Sequence, residues 1–259
     1  MPRGALIVFV LPLLVLPLLA NAGGAGPTAW RGGFETGDYS QWTAAQIKAR
    51  ERITIQSTVV REGRYAARIE VRPGDDHVAG SGSGERAELF LRGALTGGSE
   101  GEEQYWAWST YFPPDFDAPL GAWNTFTQFH HSGTTGQVNI QFSVVNRRWI
   151  ELRVLGGQFQ SPSRRDFKLA RFERGRWYDF VFHVRWSSTR AGLVEVWLNG
   201  DRVARKLRTP TLYAGQAVYL KQGYYRRAYD GTTVVYQDGM RRGSRLAEVA
   251  DWARDFDPE

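Results

Sequence analysis

Three short stretches place ionisable and hydrogen-bonding side chains at alternate positions. Arg86-Ala87-Glu88-Leu89 carries a guanidinium and a carboxylate two residues apart. Gln128-Phe129-His130 carries an amide and an imidazole, and Tyr219-Leu220-Lys221-Gln222-Gly223-Tyr224-Tyr225 carries an amine among phenols. If each stretch is a β-strand, its period of two sends Arg86 with Glu88, Gln128 with His130, and Tyr219 with Lys221 and Tyr225 to one face. Ala87, Leu89, Phe129 and Leu220 then turn to the packing face. A guanidinium and an amide can hold an anion, while an imidazole and a phenol can move protons. Each stretch alone also has a plain structural explanation: a surface ion pair of little worth, a solvent-facing histidine, an edge strand rich in tyrosine.

The composition narrows the chemistry. The 259 residues contain no cysteine, which excludes disulfides, thiolate nucleophiles and Cys-ligated zinc. Four histidines are present, His77, His130, His131 and His183, so imidazole chemistry must use one of these. An aromatic content of 14% excludes disorder for most of the chain. The 33 basic residues against 27 acidic ones give a net charge of +6, and all but Lys48, Lys168, Lys206 and Lys221 of the basic ones are arginine. That bias suits an anionic partner bound by planar guanidinium forks, although GC-rich codon usage would produce it too.

Residues 1–22 read as a secretory signal peptide, with Arg3, an apolar run over Ala5–Leu19 and the small-x-small triplet Ala20-Asn21-Ala22. Cleavage after Ala22 removes only Arg3 from the charge balance and leaves residues 23–259 as one secreted domain. A monomer is expected, with no nucleic-acid partner and no membrane contact once the leader is lost.

The elements that must position the three stretches are strands. Runs rich in Val, Ile, Tyr, Phe, Trp and Thr occur at Ile53–Val60, Ala66–Val71, Arg86–Leu91, Tyr105–Phe112, Thr125–His130, Gln137–Val145, Trp149–Leu155, Trp177–Trp186, Leu193–Leu198, Val218–Gln222 and Thr232–Tyr236. Asn199-Gly200 is a hairpin turn signal leading into Asp201–Ala204. Helical periodicity is convincing only near Leu246–Ala253. About a dozen strands without intervening helices predict an all-β antiparallel sandwich or jelly roll. The pattern resembles the lectin-like, concanavalin A-like jelly rolls of two antiparallel sheets, which implies that one sheet is concave.

The ordered trio resembles the R-[ST]-E-L, Q-[IV]-H and Y-F-K-x-G-x-Y motifs of the alginate lyase family of jelly-roll polysaccharide lyases. The matches are Arg86, Glu88 and Leu89, then Gln128 and His130, then Tyr219, Lys221, Gly223 and Tyr225. The departures Ala87, Phe129 and Leu220 all have packing-face parity, and Arg226-Arg227 replaces the family's Asn-Gln. Over Phe34–Asp238 the chain resembles the relatives grouped with heparin lyase I and fungal glucuronan lyase. The resemblance implies β-elimination at a uronate of an anionic polysaccharide, with Arg86, Gln128, His130, Lys221 and Tyr225 catalytic and no cofactor required. Charge develops on the uronate carboxylate as the C5 proton leaves, so donors aimed at it stabilise the transition state. Tyr225 is the candidate acid, its pKa lowered by Lys221 or an arginine, and either Tyr225 or His130 is the base.

Further substrate contacts are expected from Glu88, which can steady Arg86, and from Tyr219 and Arg227. His77 in a Gly/Ser-rich loop, and His183 with Arg185 on the polar face of their strand, are weaker candidates. Trp106, Trp108 and Trp123 are read as core and His131 as structural. Glu35, Asp38 and Asp238 offer hard oxygen ligands for a structural Ca²⁺, with turn residues the simpler reading. Two rival functions stand beside the lyase. A glycoside hydrolase needs paired acids, and Glu195 is alone in its strand. A non-catalytic carbohydrate-binding module would suit the ten tryptophans.

Overall fold

The computed structural model describes Met1 and residues 29–76, 83–121, 123–133 and 136–250. The signal-peptide reading and His77 lie outside the described residues, apart from Met1. Fifteen strands appear in chain order: β1 (Trp30–Arg31), β2 (Ala44–Gln46), β3 (Ile53–Gln56), β4 (Ala66–Val71), β5 (Glu85–Leu91), β6 (Glu103–Phe112), β7 (Asn124–His131), β8 (Ile140–Val145), β9 (Trp149–Gln158), β10 (Ser161–Arg171), β11 (Arg176–Arg185), β12 (Leu193–Leu198), β13 (Asp201–Arg208), β14 (Val218–Arg226) and β15 (Thr233–Gly243). One short helix, α1 (Leu246–Val249), follows. The helix expected over Leu246–Ala253 is thus a single turn within the described part.

The strands form two antiparallel sheets. One has the order β13-β12-β11-β6-β15-β4-β3, with β1 also paired to β15; the other has the order β10-β9-β8-β7-β14-β5-β2. The jelly roll expected from the strand pattern is what the chain forms. Strand parity explains the core. Tyr178, Phe180, Phe182, Val184 and Trp186 of one sheet face Phe126, Phe129, Phe142, Leu220 and Tyr224 of the other. Trp108 stacks on Phe180 at 4.9 Å and meets Phe142 edge-on at 5.0 Å, and Trp106 meets Phe129 at 5.1 Å. Such contacts each add ~0.5–1.5 kcal/mol beyond the area they bury, so the two sheets are locked in register across their centre.

Local signals account for the turns. Asn199 and Gly200 join β12 to β13 with φ of 53° and 95°, the paired positive values of the tight hairpin that Asn-Gly favours. Besides the short strands β1 and β2, two elements escaped the sequence pattern wholly or in part. Strand β10 is charged on both sides of its pleat, because it is a sheet edge paired only with β9, and edge strands resist further pairing by carrying charge. Strand β15 runs on past Tyr236, because Gln237, Asp238, Arg241 and Arg242 are buried with polar partners rather than exposed.

Candidate active site

The outer face of the seven-stranded sheet carries a groove of about 1220 Å³. Its lining crosses every strand of that sheet, from Gln46 on β2 to Arg164 on β10. The three stretches meet at its centre, because β5, β14 and β7 are neighbours. Lys221 is registered with Gln128 of β7, and Tyr225 with Arg86 of β5. Ala87, Phe129 and Leu220 are fully buried in the core as their parity predicts.

Gly223 makes this adjacency possible. A Cβ there would lie 2.1 Å from the Ala87 carbonyl oxygen and 2.7 Å from Glu88 Cα, so only glycine lets β14 approach β5 this closely. One extra residue of β14 is taken up against β7 between Gln222 and Tyr225. Tyr219, Lys221 and Tyr225 nonetheless line the groove together, while Tyr224 points into the core.

Glu88 organises the floor of the site. It is 2% exposed. Its carboxylate accepts the Gln128 amide, the Arg86 guanidinium at 3.4 Å and the Lys221 ammonium at 3.6 Å. Gln46 accepts Lys221 Nζ at 3.0 Å and Arg86 Nη1 at 3.4 Å. No sequence signal marked Gln46, a single glutamine in a three-residue strand. Burial pulls the Lys221 ammonium below its usual range, against the attraction of Glu88.

The two proton-transfer candidates have distinct environments. His130 Nδ1 donates to the carbonyl of His131 at 2.8 Å, since a carbonyl can only accept. That bond fixes the neutral tautomer with its lone pair on Nε2. Burial, reinforced by Lys221 and His131, lowers the His130 pKa to about 4. The ring lies between Tyr219 and His131, at 5.2 and 4.5 Å. Tyr225 holds the Arg86 guanidinium over its ring at 3.8 Å and donates its hydroxyl to the Ser83 carbonyl. Burial raises its pKa despite Arg86. The expected lowering by Lys221 is therefore corrected: Lys221 serves Glu88 and Gln46, and Tyr225 remains a phenol.

Other expectations are also corrected. His183 and Arg185 have the outward parity expected, but β11 belongs to the opposite sheet, so the core separates them from the groove. There His183 sits between Glu103 at 2.7 Å and Glu195 at 3.1 Å, stacked on Tyr105, and Arg185 pairs with Glu103. Arg227 is exposed just past the end of β14 and does not line the groove. Its neighbour Arg226 turns inward to Glu85, at 2.9 Å. Glu35 accepts the backbone N–H groups of Arg64 and Tyr65, and Asp238 those of Arg61 and Glu62, so both clamp one loop. Asp38 takes the Thr36 and Ser40 hydroxyls. Among the described residues, no group of three or more His, Asp or Glu side chains is placed to hold a metal ion. Trp106 and Trp108 are core, but Trp123 lies at the groove, 5.8 Å from the Tyr225 ring. His131 is buried against Gln216.

The family model described as polysaccharide lyase matches residues 34–241. The chain belongs to the polysaccharide lyase family. No curated protein matches it. Among solved structures, it is similar to the endo-β-1,4-glucuronan lyase of the fungus Trichoderma reesei, with a TM-score of 0.69 at 19% identity over 86% of this chain and 97% of that one. A family 7 alginate lyase, A1-II′, gives 0.53 at 13% over 75% and 84%. The cellulose-induced protein Cip1 gives 0.54 at 13% over 84% and 97%. At these identities the likeness is one of fold. Together with the family match it makes this chain a jelly-roll lyase.

Because Glu88 pairs with two buried cations, the lyase should tolerate its loss poorly. Glu88→Gln should lower unfolding stability by ~3 kcal/mol, the cost of leaving buried charges without their partner. Urea denaturation of the variant beside the wild type measures this.

Proposed function

We propose that this lyase cleaves a β-1,4-linked uronate polymer, glucuronan- or alginate-like, by β-elimination. The observation that carries the proposal is the meeting of Arg86, Gln128, His130 and Tyr225 on one face of the groove. Arg86 and Gln128 face the position of a uronate carboxylate and stabilise the charge that grows there as C5 loses its proton. His130 Nε2 takes that proton. The C4–O bond breaks, the Tyr225 phenol gives its proton to the departing oxygen, and the electron pair forms a C4=C5 double bond. Every step is assigned to a side chain and none to a metal or redox cofactor. Burial supports this division of labour, because it keeps an imidazole neutral and a phenol protonated at the same pH.

The export signal read in residues 1–22 supports a secreted enzyme acting on extracellular polysaccharide. Among the described residues no helix is long and apolar enough to cross a membrane. The hydrolase alternative loses its single acid, since Glu195 is 2% exposed and lies in the opposite sheet.

Three outcomes are expected. Glucuronan or alginate, the polymers named for two enzymes of the same fold, should yield new ultraviolet absorbance from the conjugated double bond. Reducing ends released without that absorbance would point to hydrolysis. Tyr225→Phe should cut kcat by ~10²-fold or more with little change in KM. Tyr224→Phe should be mild, because the Tyr224 hydroxyl is buried without a hydrogen-bond partner among the described residues. With His130 as base, kcat/KM should fall only as pH drops through about 4, where Nε2 gains a proton. A pH profile of initial rates locates that limb, and a limb near the ordinary imidazole value would assign the base elsewhere.

A further inference from the structure

Away from the central cluster, the groove contains a second set of cations with an unusual arrangement. Arg153 of β9 and Arg164 of β10 both donate their Nε to one carboxylate, that of Asp166. The distances are 2.9 Å to Oδ1 and 2.6 Å to Oδ2. Gln141 of β8 receives Arg153 Nη1 at 3.4 Å. Partial burial opposes ionisation of Asp166, but the two guanidiniums hold it below its usual range. All three side chains are a third to a half exposed, so these ion pairs add little to stability. What they do is orient. Each arginine is gripped at the root of its fork, and neither makes a hydrogen bond through Nη2 among the described residues. Two positive forks thus flank one neutralising charge and leave an excess of one positive charge at the groove wall.

The position is defined by strand register. Arg153 pairs with Gln141, Gln141 with Gln128, and Gln128 with Lys221, a single polar row across four strands. Two strand spacings, about 10 Å, separate Gln128 from Arg153. That is about the length of a disaccharide unit in an extended β-1,4 chain. We infer that Arg153 and Arg164, held by Asp166, form a carboxylate-binding subsite for a uronate about two sugars from the cleaved bond. This inference rests on the uronate reading above. Guanidinium forks match a carboxylate bidentately, whereas a neutral sugar offers them no anion. The subsite therefore selects polymers that carry a second acid about two sugars from the cleaved uronate over those with isolated uronates.

The test is calorimetric binding of β-1,4-linked oligoglucuronates of rising length, which needs no turnover, beside initial rates on the polymer. In wild type the affinity should step up at the length that first reaches the pair. In Arg153→Ala/Arg164→Ala the step should vanish, and KM on polymer should rise on the order of tenfold. Arg153→Gln/Arg164→Gln, which keeps most of the side-chain volume, repeats the test should the alanine variant melt early. Oligomers with their carboxylates reduced to alcohols should show no step even in wild type. A step that survives in the double variants, or with the reduced oligomers, overturns the inference while leaving the lyase reading intact. Binding with the expected step but no new absorbance would reject elimination and uphold the subsite. No binding of any oligouronate by wild type would overturn both.

Discussion

A single buried carboxylate sets the terms for this site. Arg86 and Lys221 lie side by side under the groove, and both are nearly buried. Two desolvated cations repel each other and each forfeits hydration. Glu88 offsets both costs from below, with Gln46 accepting one bond from each cation and Gln128 tied to the same carboxylate. The result is a floor whose polar groups are anchored before any substrate arrives. Preorganised donors need no rearrangement as charge develops, which is where electrostatic catalysis gains most.

That floor is stiff because of what lies beneath it. Every outward-facing functional residue alternates with an inward-facing apolar one, and the inward set packs into the aromatic layer between the sheets. Trp106, Trp108, Phe129 and Phe142 interlock across this layer, so a shift of β7 relative to β14 would disrupt the core as well as the site. Gly223 completes the arrangement by letting β14 and β5 approach without a side chain between them. Packing and catalysis share the same backbone, divided between the two faces of one sheet.

The same sheet also carries the proposed acid and the proposed base. His130 and Tyr225 occupy strands next to each other, and burial acts on both in the direction that removes charge. For the imidazole this frees a lone pair, and for the phenol it keeps a proton. The backbone bond from His130 Nδ1 to the His131 carbonyl selects which nitrogen is free. One physical cause, desolvation, thereby favours opposite protonation states in two side chains.

Much of this was written in the strand pattern. Period-two alternation in Arg86–Leu89, Gln128–His130 and Tyr219–Tyr225 assigned each functional residue to a face, and the absence of helical periodicity between strands pointed to the jelly roll. These are local properties, because side-chain direction along a strand follows from the backbone itself. Pairing is not local. Identical alternation in Trp177–Trp186 put His183 and Arg185 on a polar face, yet that face belongs to the other sheet. Gln46, Arg153 and Arg164 entered the groove through register with distant strands, without any motif. Burial, which moved Tyr225 up rather than down in pKa, depends on what covers a residue. The sequence alone determined the elements and the face each residue takes; only the tertiary structure decided which faces meet, because contacts between strands far apart in the chain carry no period a single strand can display.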